Sequence, residues 1–336
     1  MNILITGGAG FIGHHIVKLF IEDRCSVFVI DDYSTGSRQN HIKGVQYFEA
    51  NISDTGELGR VMTTLAHNRR IDCLIHLAAK ASIVPSVKNP KLYHRVNVGG
   101  TMSILQLASR LGVKRFIYTA SGSCYGIPSE IPTTEQCPIG PQYPYAQTKY
   151  NAEQYALNFC EVNGISFISL RLFNVFGPRM CLSGGYGGLF SAILPQRFNN
   201  AEIVTIGDGE QSRDFVYVED VARAFKLAAE SDVSRAVFNI GSGKPVSVNE
   251  ILKLLEIPES QIFRMPDRPG EPRKTQANFS HIKDVLGWQP EVSFADGLKV
   301  MIADVEYWRR AKVWTRQESI DSQKEWYAHF GQPLPS

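Results

Sequence analysis

Short apolar, β-branched runs alternate with amphipathic stretches through the first half of the chain. The runs predict strands over Asn2–Thr6, Ser26–Asp31, Val45–Glu49, Cys73–Ala78, Phe116–Thr119 and Phe167–Leu172. Helical periodicity between them predicts helices such as Ile12–Glu22, Thr101–Leu111 and Tyr145–Asn163. Strand–helix alternation of this kind implies an α/β fold with a parallel, doubly wound sheet. The apolar character of several strands fits burial on both faces. After Leu172 the rhythm breaks. A glycine-rich stretch, Gly184 to Gly188, and scattered prolines precede a strand-like run at Val204–Ile206. A further run, Asp214–Val218, leads into the helical pattern Val221–Ala229, a segment expected to rejoin the first domain. Beyond it, Pro258, Pro266, Pro269, Pro272 and Pro290 punctuate two helical patterns, Val248–Leu255 and Phe294–Arg309. The expected division is a first domain over 1–172, rejoined by about 214–240, and a smaller α/β lobe built from 173–213 and 241–336. The polar and aromatic residues from Lys312 onward predict one extra helix with no evident function.

Composition narrows the class. The chain has 336 residues, 43 % apolar and 20 % charged, which suits a packed globule. A net charge of +2 gives no strong field for nucleic acid or a membrane surface. Six cysteines without a C-x-x-C pair argue against a metal site or a disulfide framework and fit a reducing compartment, the cytoplasm. No apolar stretch reaches the ~18 residues of a membrane span, and the short N-terminal apolar run lacks the basic flank of a signal peptide.

Two motifs carry the candidate chemistry. The first is Gly7-Gly8-Ala9-Gly10-Phe11-Ile12-Gly13, between a predicted strand and a predicted helix. Glycines there permit a tight turn and close approach of the backbone to a pyrophosphate, and the helix N-terminus offers free N–H groups. Asp31, at the end of the next strand, is placed to accept the ribose hydroxyls and to repel a 2′-phosphate, which favours NAD over NADP. Asp32 is the alternative ribose ligand, and Arg38 is the one nearby cation that argues for a phosphate. The second motif is Tyr145-Ala146-Gln147-Thr148-Lys149, opened by Pro144 at a helix start. Tyr145 and Lys149 share a helix face. A lysine ammonium and a positive nicotinamide ring would both favour the phenolate. Ser121 follows an apolar strand, where doubly wound sheets place ligand-binding residues, and its hydroxyl suits a substrate oxygen that loses its proton.

With these residues the chain resembles the extended short-chain dehydrogenase/reductases, in particular the nucleotide-sugar epimerases and dehydratases. The resemblance also rests on His76-Leu77-Ala78-Ala79, Asn97, Arg171 to Arg179 (RLFNVFGPR), Gly207-Asp208-Gly209, Arg213 to Val218 (RDFVYV), Arg268-Pro269-Gly270-Glu271 and Leu286-Gly287-Trp288. It implies a Rossmann domain holding NAD and a lobe holding a UDP-sugar. By resemblance, the cofactor is contacted by Gly7, Gly10, Phe11, Ile12 and Gly13, by Asp31 and Asp32, and by Asn51 and Ile52 at the adenine. Asn51 stands where the family usually has Asp. Leu77, Ala78, Ala79, Asn97, Tyr145 and Lys149 fall on the nicotinamide side. Ser121, Tyr145 and Lys149 are the catalytic set. Ser121, Ser123 and Asn174 match substrate contacts, Asn174 at the diphosphate. Ala192 and Ile193 match sugar or uracil contacts and Thr205 a base contact. Arg213 and Arg268 match diphosphate-binding arginines, with Glu271 and Thr275 completing the set. Homodimerisation through a four-helix bundle of Lys91–Leu111 and Tyr145–Asn163 is also implied.

The resemblance further implies a shared first step: Tyr145 takes the proton of the sugar 4-hydroxyl while hydride leaves C4 for NAD⁺. The 4,6-dehydratases resemble this chain with Asp-Glu where Gly122-Ser123 stand, and the UDP-glucuronate decarboxylases carry Glu at Ser123. With neither acid present, reversible C4 epimerisation remains, ahead of a dehydratase or a one-way 4-keto reductase. Cys124 sits one place off the pattern of a C3/C5 epimerase and reads as a buried small hydrophobe. In the epimerases a tyrosine at the position of Thr275 restricts the pocket to unsubstituted hexoses. Threonine implies room for a 2-acetamido group, so UDP-GlcNAc/UDP-GalNAc come first, UDP-Glc/UDP-Gal second and UDP-glucuronate third.

Overall fold

The computed structural model describes residues 1–66, 70–182 and 188–334. Twelve strands are present among them: β1 (Asn2–Thr6), β2 (Ser26–Asp31), β3 (Gln46–Glu49), β4 (Cys73–His76), β5 (Arg115–Ser121), β6 (Ser166–Leu172), β7 (Asn174–Phe176), β8 (Ile203–Ile206), β9 (Ser212–Tyr217), β10 (Ala236–Ile240), β11 (Pro245–Ser247) and β12 (Ile262–Met265). Seven of them form one parallel sheet in the order β10-β6-β5-β4-β1-β2-β3. The order reverses between β1 and β4, which opens a crevice at the carboxyl ends of those strands, the place where doubly wound sheets bind ligands.

Apolar side chains on both faces of the central strands explain the layering. Ile3, Ile5, Val29 and Ile75 pack under the helices Phe11–Glu22 and Val218–Glu230. Leu4, Ile30, Leu74 and Phe116 pack on the opposite face, under Thr101–Arg110 and Pro144–Val162. A third core, around Phe176, Phe190, Phe215 and Trp308, belongs to the smaller lobe.

The run expected at Asp214–Val218 is strand β9, and it pairs with β7 and β11 rather than with the large sheet. The cause is Asp214. Its fully buried carboxylate accepts the amides of Ser242, Gly243 and Ala277, which ties the strand into the lobe. The return to the large sheet is made by the helix Val218–Glu230 and by β10. The pattern Phe294–Arg309 divides into Phe294–Ala303 and Val305–Arg309, because Asp304 caps the second piece by accepting the Tyr307 amide. The single helix expected near the C-terminus is two, Arg316–Asp321 and Lys324–His329. Thr315 and Glu318 form a capping box at the start of the first. The glycine-rich stretch expected to separate the domains lies, from Gly184 to Gly187, outside the described residues.

A buried ion pair fastens the helix Pro144–Val162 to β6. Arg171 donates to Glu153 through Nε (3.0 Å) and Nη2 (2.6 Å), and the Ser169 hydroxyl donates to the same carboxylate at 3.0 Å. Both side chains are nearly sealed, at 6 % and 1 % exposure. Removing one partner strands the other charge in the core. Glu153→Ala should therefore cost about 3–5 kcal/mol in chemical denaturation; a loss below ~1 kcal/mol would show that the pair is not a fastener.

Candidate active site

The first turn after β1 leaves no room for side chains. A Cβ on Gly13 would lie 2.1 Å from the Gly7 carbonyl oxygen, and one on Gly7, whose φ is +74°, would lie 2.8 Å from the Ala78 amide nitrogen. Strand β1, the helix behind it and the end of β4 thus meet at backbone distance. Around this junction Thr6 accepts the Ala78 amide (3.2 Å) and bonds His76 Nδ1 (2.6 Å), while His76 Nε2 meets Thr101 (2.9 Å). Burial and the nearby Lys149 ammonium bring the His76 pKa down to about 3, so the ring is a neutral bridge at physiological pH. Asp31 at the end of β2 accepts the Ala9 amide and the Tyr33 amide, both at 2.9 Å.

The turn opens into one cavity of about 530 Å³ that runs from Gly7, Gly10, Phe11, Ile12 and Gly13 to Arg213 and Thr275. Asp31, Asp32, Ile52, Leu77, Ala78 and Ala79 line its first half. Ser121, Ser123, Tyr145, Lys149 and Asn174 line its middle. Ser123 donates to the Ser121 hydroxyl at 2.9 Å. Lys149 lies 4.3 Å above the Tyr118 ring, one turn of helix from Tyr145.

Several expected residues stand behind the wall rather than in it. Asn51 turns its side chain to the Ser53 amide (2.8 Å), and Ala50 and Ile52 line the cavity instead. Asn97 brackets the Lys80 backbone (2.8 and 3.0 Å) and donates to Thr148 (3.0 Å), beside Lys149. It lies in a π-helical segment, His94–Gly100, a distortion frequent at functional sites. Ala192, Ile193 and Thr205 are not among the lining residues, and Ile193 is core. The buried Thr205 hydroxyl has no hydrogen-bond partner among the described residues. Arg268 and Glu271 also lie behind the lining. Glu271 joins Arg213 and Arg268, each at 3.1 Å, so this corner keeps one net positive charge, and the two guanidiniums hold the carboxyl below its usual range despite burial. Arg38 is turned away, 2.6 Å from Glu49 and stacked 4.4 Å from the Tyr33 ring.

The sequence reading missed Thr119, Tyr143 and Phe173, all of which line the cavity. Thr119 was findable, since it lies two residues before Ser121 on one face of β5. Its buried hydroxyl has no partner among the described residues. Phe173 explains Gly122: a Cβ there would come within 3.0 Å of the phenyl ring.

The model of the NAD dependent epimerase/dehydratase family matches residues 3–241. The chain belongs to this family. Its cofactor is NAD. A putative UDP-glucose 4-epimerase of Methanocaldococcus jannaschii is 33 % identical over 305 residues, covering 89 % of this chain and 97 % of the relative. UDP-glucuronic acid decarboxylase 1 of Arabidopsis thaliana is 32 % identical over 314 residues, covering 90 % and 69 %. Among solved structures, the UDP-glucose 4-epimerase of Thermotoga maritima with UDP-glucose is similar with a TM-score of 0.85 and 36 % identity, over 92 % of this chain and 99 % of that one.

The residues present fit NAD. The glycine turn admits only backbone, Asp31 offers a carboxylate at the end of β2, the Thr119 hydroxyl has no partner among the described residues, and Arg38, the cation that could argue for a 2′-phosphate, is engaged with Glu49. Lys149 was expected to favour the Tyr145 phenolate. In the chain without its cofactor, burial is the largest influence on both groups. It raises the Tyr145 pKa, against the opposing pull of the Ser121 hydroxyl, and lowers that of Lys149 to about 7. Cys124 is likewise pushed up to about 12 by burial, so its thiol stays protonated.

The lowered lysine has a consequence for stability. The folded pKa lies below the ordinary ~10.4 of the unfolded chain, so between pH ~7 and ~10 the unfolded chain binds more protons. The destabilisation is full below pH 7 and fades as the pH rises toward 10. Lys149→Met should be stabilised over the parent most at pH 6–7 and least near pH 10, read as denaturation midpoints; a pH-independent difference would contradict the buried ammonium.

Proposed function

We propose that this protein catalyses reversible inversion at C4 of a UDP-hexose, with UDP-GlcNAc/UDP-GalNAc ahead of UDP-Glc/UDP-Gal and UDP-glucuronate third. The observation that carries the reading is the set Ser121, Tyr145 and Lys149 beside Gly122-Ser123, where a second acid would have to stand for water or carbon dioxide to leave. A Cβ at position 122 would lie 3.0 Å from the Phe173 ring, a contact tight enough that the ring would have to give. NAD supplies a reversible hydride acceptor. In its phenolate form Tyr145 takes the proton of the sugar 4-hydroxyl as hydride leaves C4, and as the hydroxyl it returns that proton when hydride comes back; Ser121 hydrogen-bonds the same oxygen. Lys149, with a pKa of about 7, is poised to exchange charge with its surroundings. Asn174 and Arg213 hold the diphosphate, and Arg268 acts with them through Glu271. A sugar held by its nucleotide and loosely at its ring is free to present either face.

Thr275 supports the open pocket. It lines the cavity with a short side chain whose hydroxyl accepts the Asp214 amide at 3.2 Å. We also infer a homodimer formed by the helices Thr101–Arg110 and Pro144–Val162, on which Tyr155 and Val162 expose apolar surface. It should elute at twice the chain mass in light scattering. The cytoplasm is the expected location, since the six cysteines form no disulfide.

A panel of UDP-sugars followed by NMR tests the substrate order. Turnover of UDP-Glc with none of UDP-GlcNAc would remove the open pocket. Thr275→Tyr should lower kcat/KM for UDP-GlcNAc by more than ~10-fold and spare UDP-Glc. Tyr145→Phe should lose about 10³-fold in kcat while UDP still binds; a fully active variant would refute the assigned base.

A further inference from the structure

Residues 315–334 grip the substrate side of the cavity. The Trp326 ring is fully buried, with its centroid 5.3 Å from that of Tyr143. Tyr143 lines the cavity and lies parallel to Tyr145, their centroids 6.5 Å apart at 8°. The same segment holds the loop that carries Arg268. Trp326 Nε1 donates to the Pro269 carbonyl (3.0 Å), and the Tyr327 hydroxyl to that of Asp267 (2.9 Å). Arg268 Nε donates to the buried Gln323 Oε1 at 2.7 Å, which aims the other edge of the guanidinium at Glu271. Phe330 lies so close to Gly270 that a Cβ there would meet its ring at 2.1 Å. On the other side, Glu325 pairs with Lys88 at 3.2 Å, and Trp326 packs on Val84 of the helix Ile83–Lys88, whose Ile83 lines the cavity.

We propose that the C-terminal helix pair is a substrate-positioning cap: it sets Tyr143 against the reacting sugar and Arg268 against the diphosphate corner. The proposal rests on the reading of the cavity as a UDP-sugar site. It assigns the cap no part in holding NAD: among the described residues its contacts reach the lobe loop 266–270, the helix Ile83–Lys88, Tyr143 and Gln142 and, through Arg316, Glu202 and Phe263. These zones are far apart in sequence, so a cap that packs them together orders the substrate half at long range.

Three variants at two positions probe it. Gln323→Met keeps the side chain's length and removes the acceptor on Arg268. Trp326→Ala removes the ring that backs Tyr143, and Trp326→Phe restores an aromatic face. UDP affinity is measured by calorimetry, steady-state KM and kcat with the UDP-sugar that turns over, and NAD content from the cofactor released by acid. Gln323→Met should weaken UDP and raise KM about tenfold with NAD content unchanged. Trp326→Ala should raise KM and lower kcat, with partial rescue in Trp326→Phe. Should Trp326→Ala fail to fold, Gln323→Met decides alone. Arg213→Ala is the control. If it weakens UDP and Gln323→Met does not, the cap is refuted and the site stands. If Arg213→Ala also leaves UDP affinity unchanged, the reading of the cavity falls and the cap with it. Loss of NAD in parallel with UDP would mean a general loosening and would overturn the proposal too.

Discussion

The site depends on how closely three backbone segments pass one another at the end of β1. Only hydrogen atoms separate the Gly13 α-carbon from the Gly7 carbonyl and the Gly7 α-carbon from the Ala78 amide. This contact brings the helix N-terminus to the mouth of the crevice. It also ties Leu77–Ala79 to Thr6, and through His76 to the helix Thr101–Arg110. The wall that faces Tyr145 and Lys149 is then continuous with the glycine turn. A side chain at either glycine would separate these parts before it touched any ligand.

Electrostatics divides the cavity. In the middle, burial is the dominant force, and it keeps the chain's own reacting groups near neutral: a protonated tyrosine, a lysine balanced near pH 7 and an uncharged histidine bridge. At the far end, two guanidiniums share one carboxylate and leave a positive corner. That corner suits an anion, and the middle offers uncharged hydroxyls. Under the proposed function this contrast would hold the nucleotide firmly and the sugar loosely.

Much of this was legible in the sequence because it depends on local rules. The glycine spacing, the Tyr145/Lys149 periodicity and the strand runs each follow from backbone sterics or from a repeat of two or four residues. What was not legible depends on distant packing. Asn97 and Asn51 are polar residues near the cofactor side, yet each spends its side chain on neighbouring backbone. Strand β9 looks like a sheet strand, yet the buried Asp214 and the core contacts of Phe215 and Tyr217 hold it in the lobe. The C-terminal aromatics showed no pattern of their own, because Trp326 and Tyr327 find partners some 60 and more residues away.

The contact between Gly122 and Phe173 has a consequence for how this chain could diverge. A Cβ at position 122 would lie 3.0 Å from the phenyl ring, so an acid there asks the ring to give by a few tenths of an ångström. Phe173 is only part-buried and borders the cavity, so its freedom to turn aside decides what position 122 can carry. The chemistry available next to Ser121 is therefore set by the packing of residue 173 as well as by residue 122.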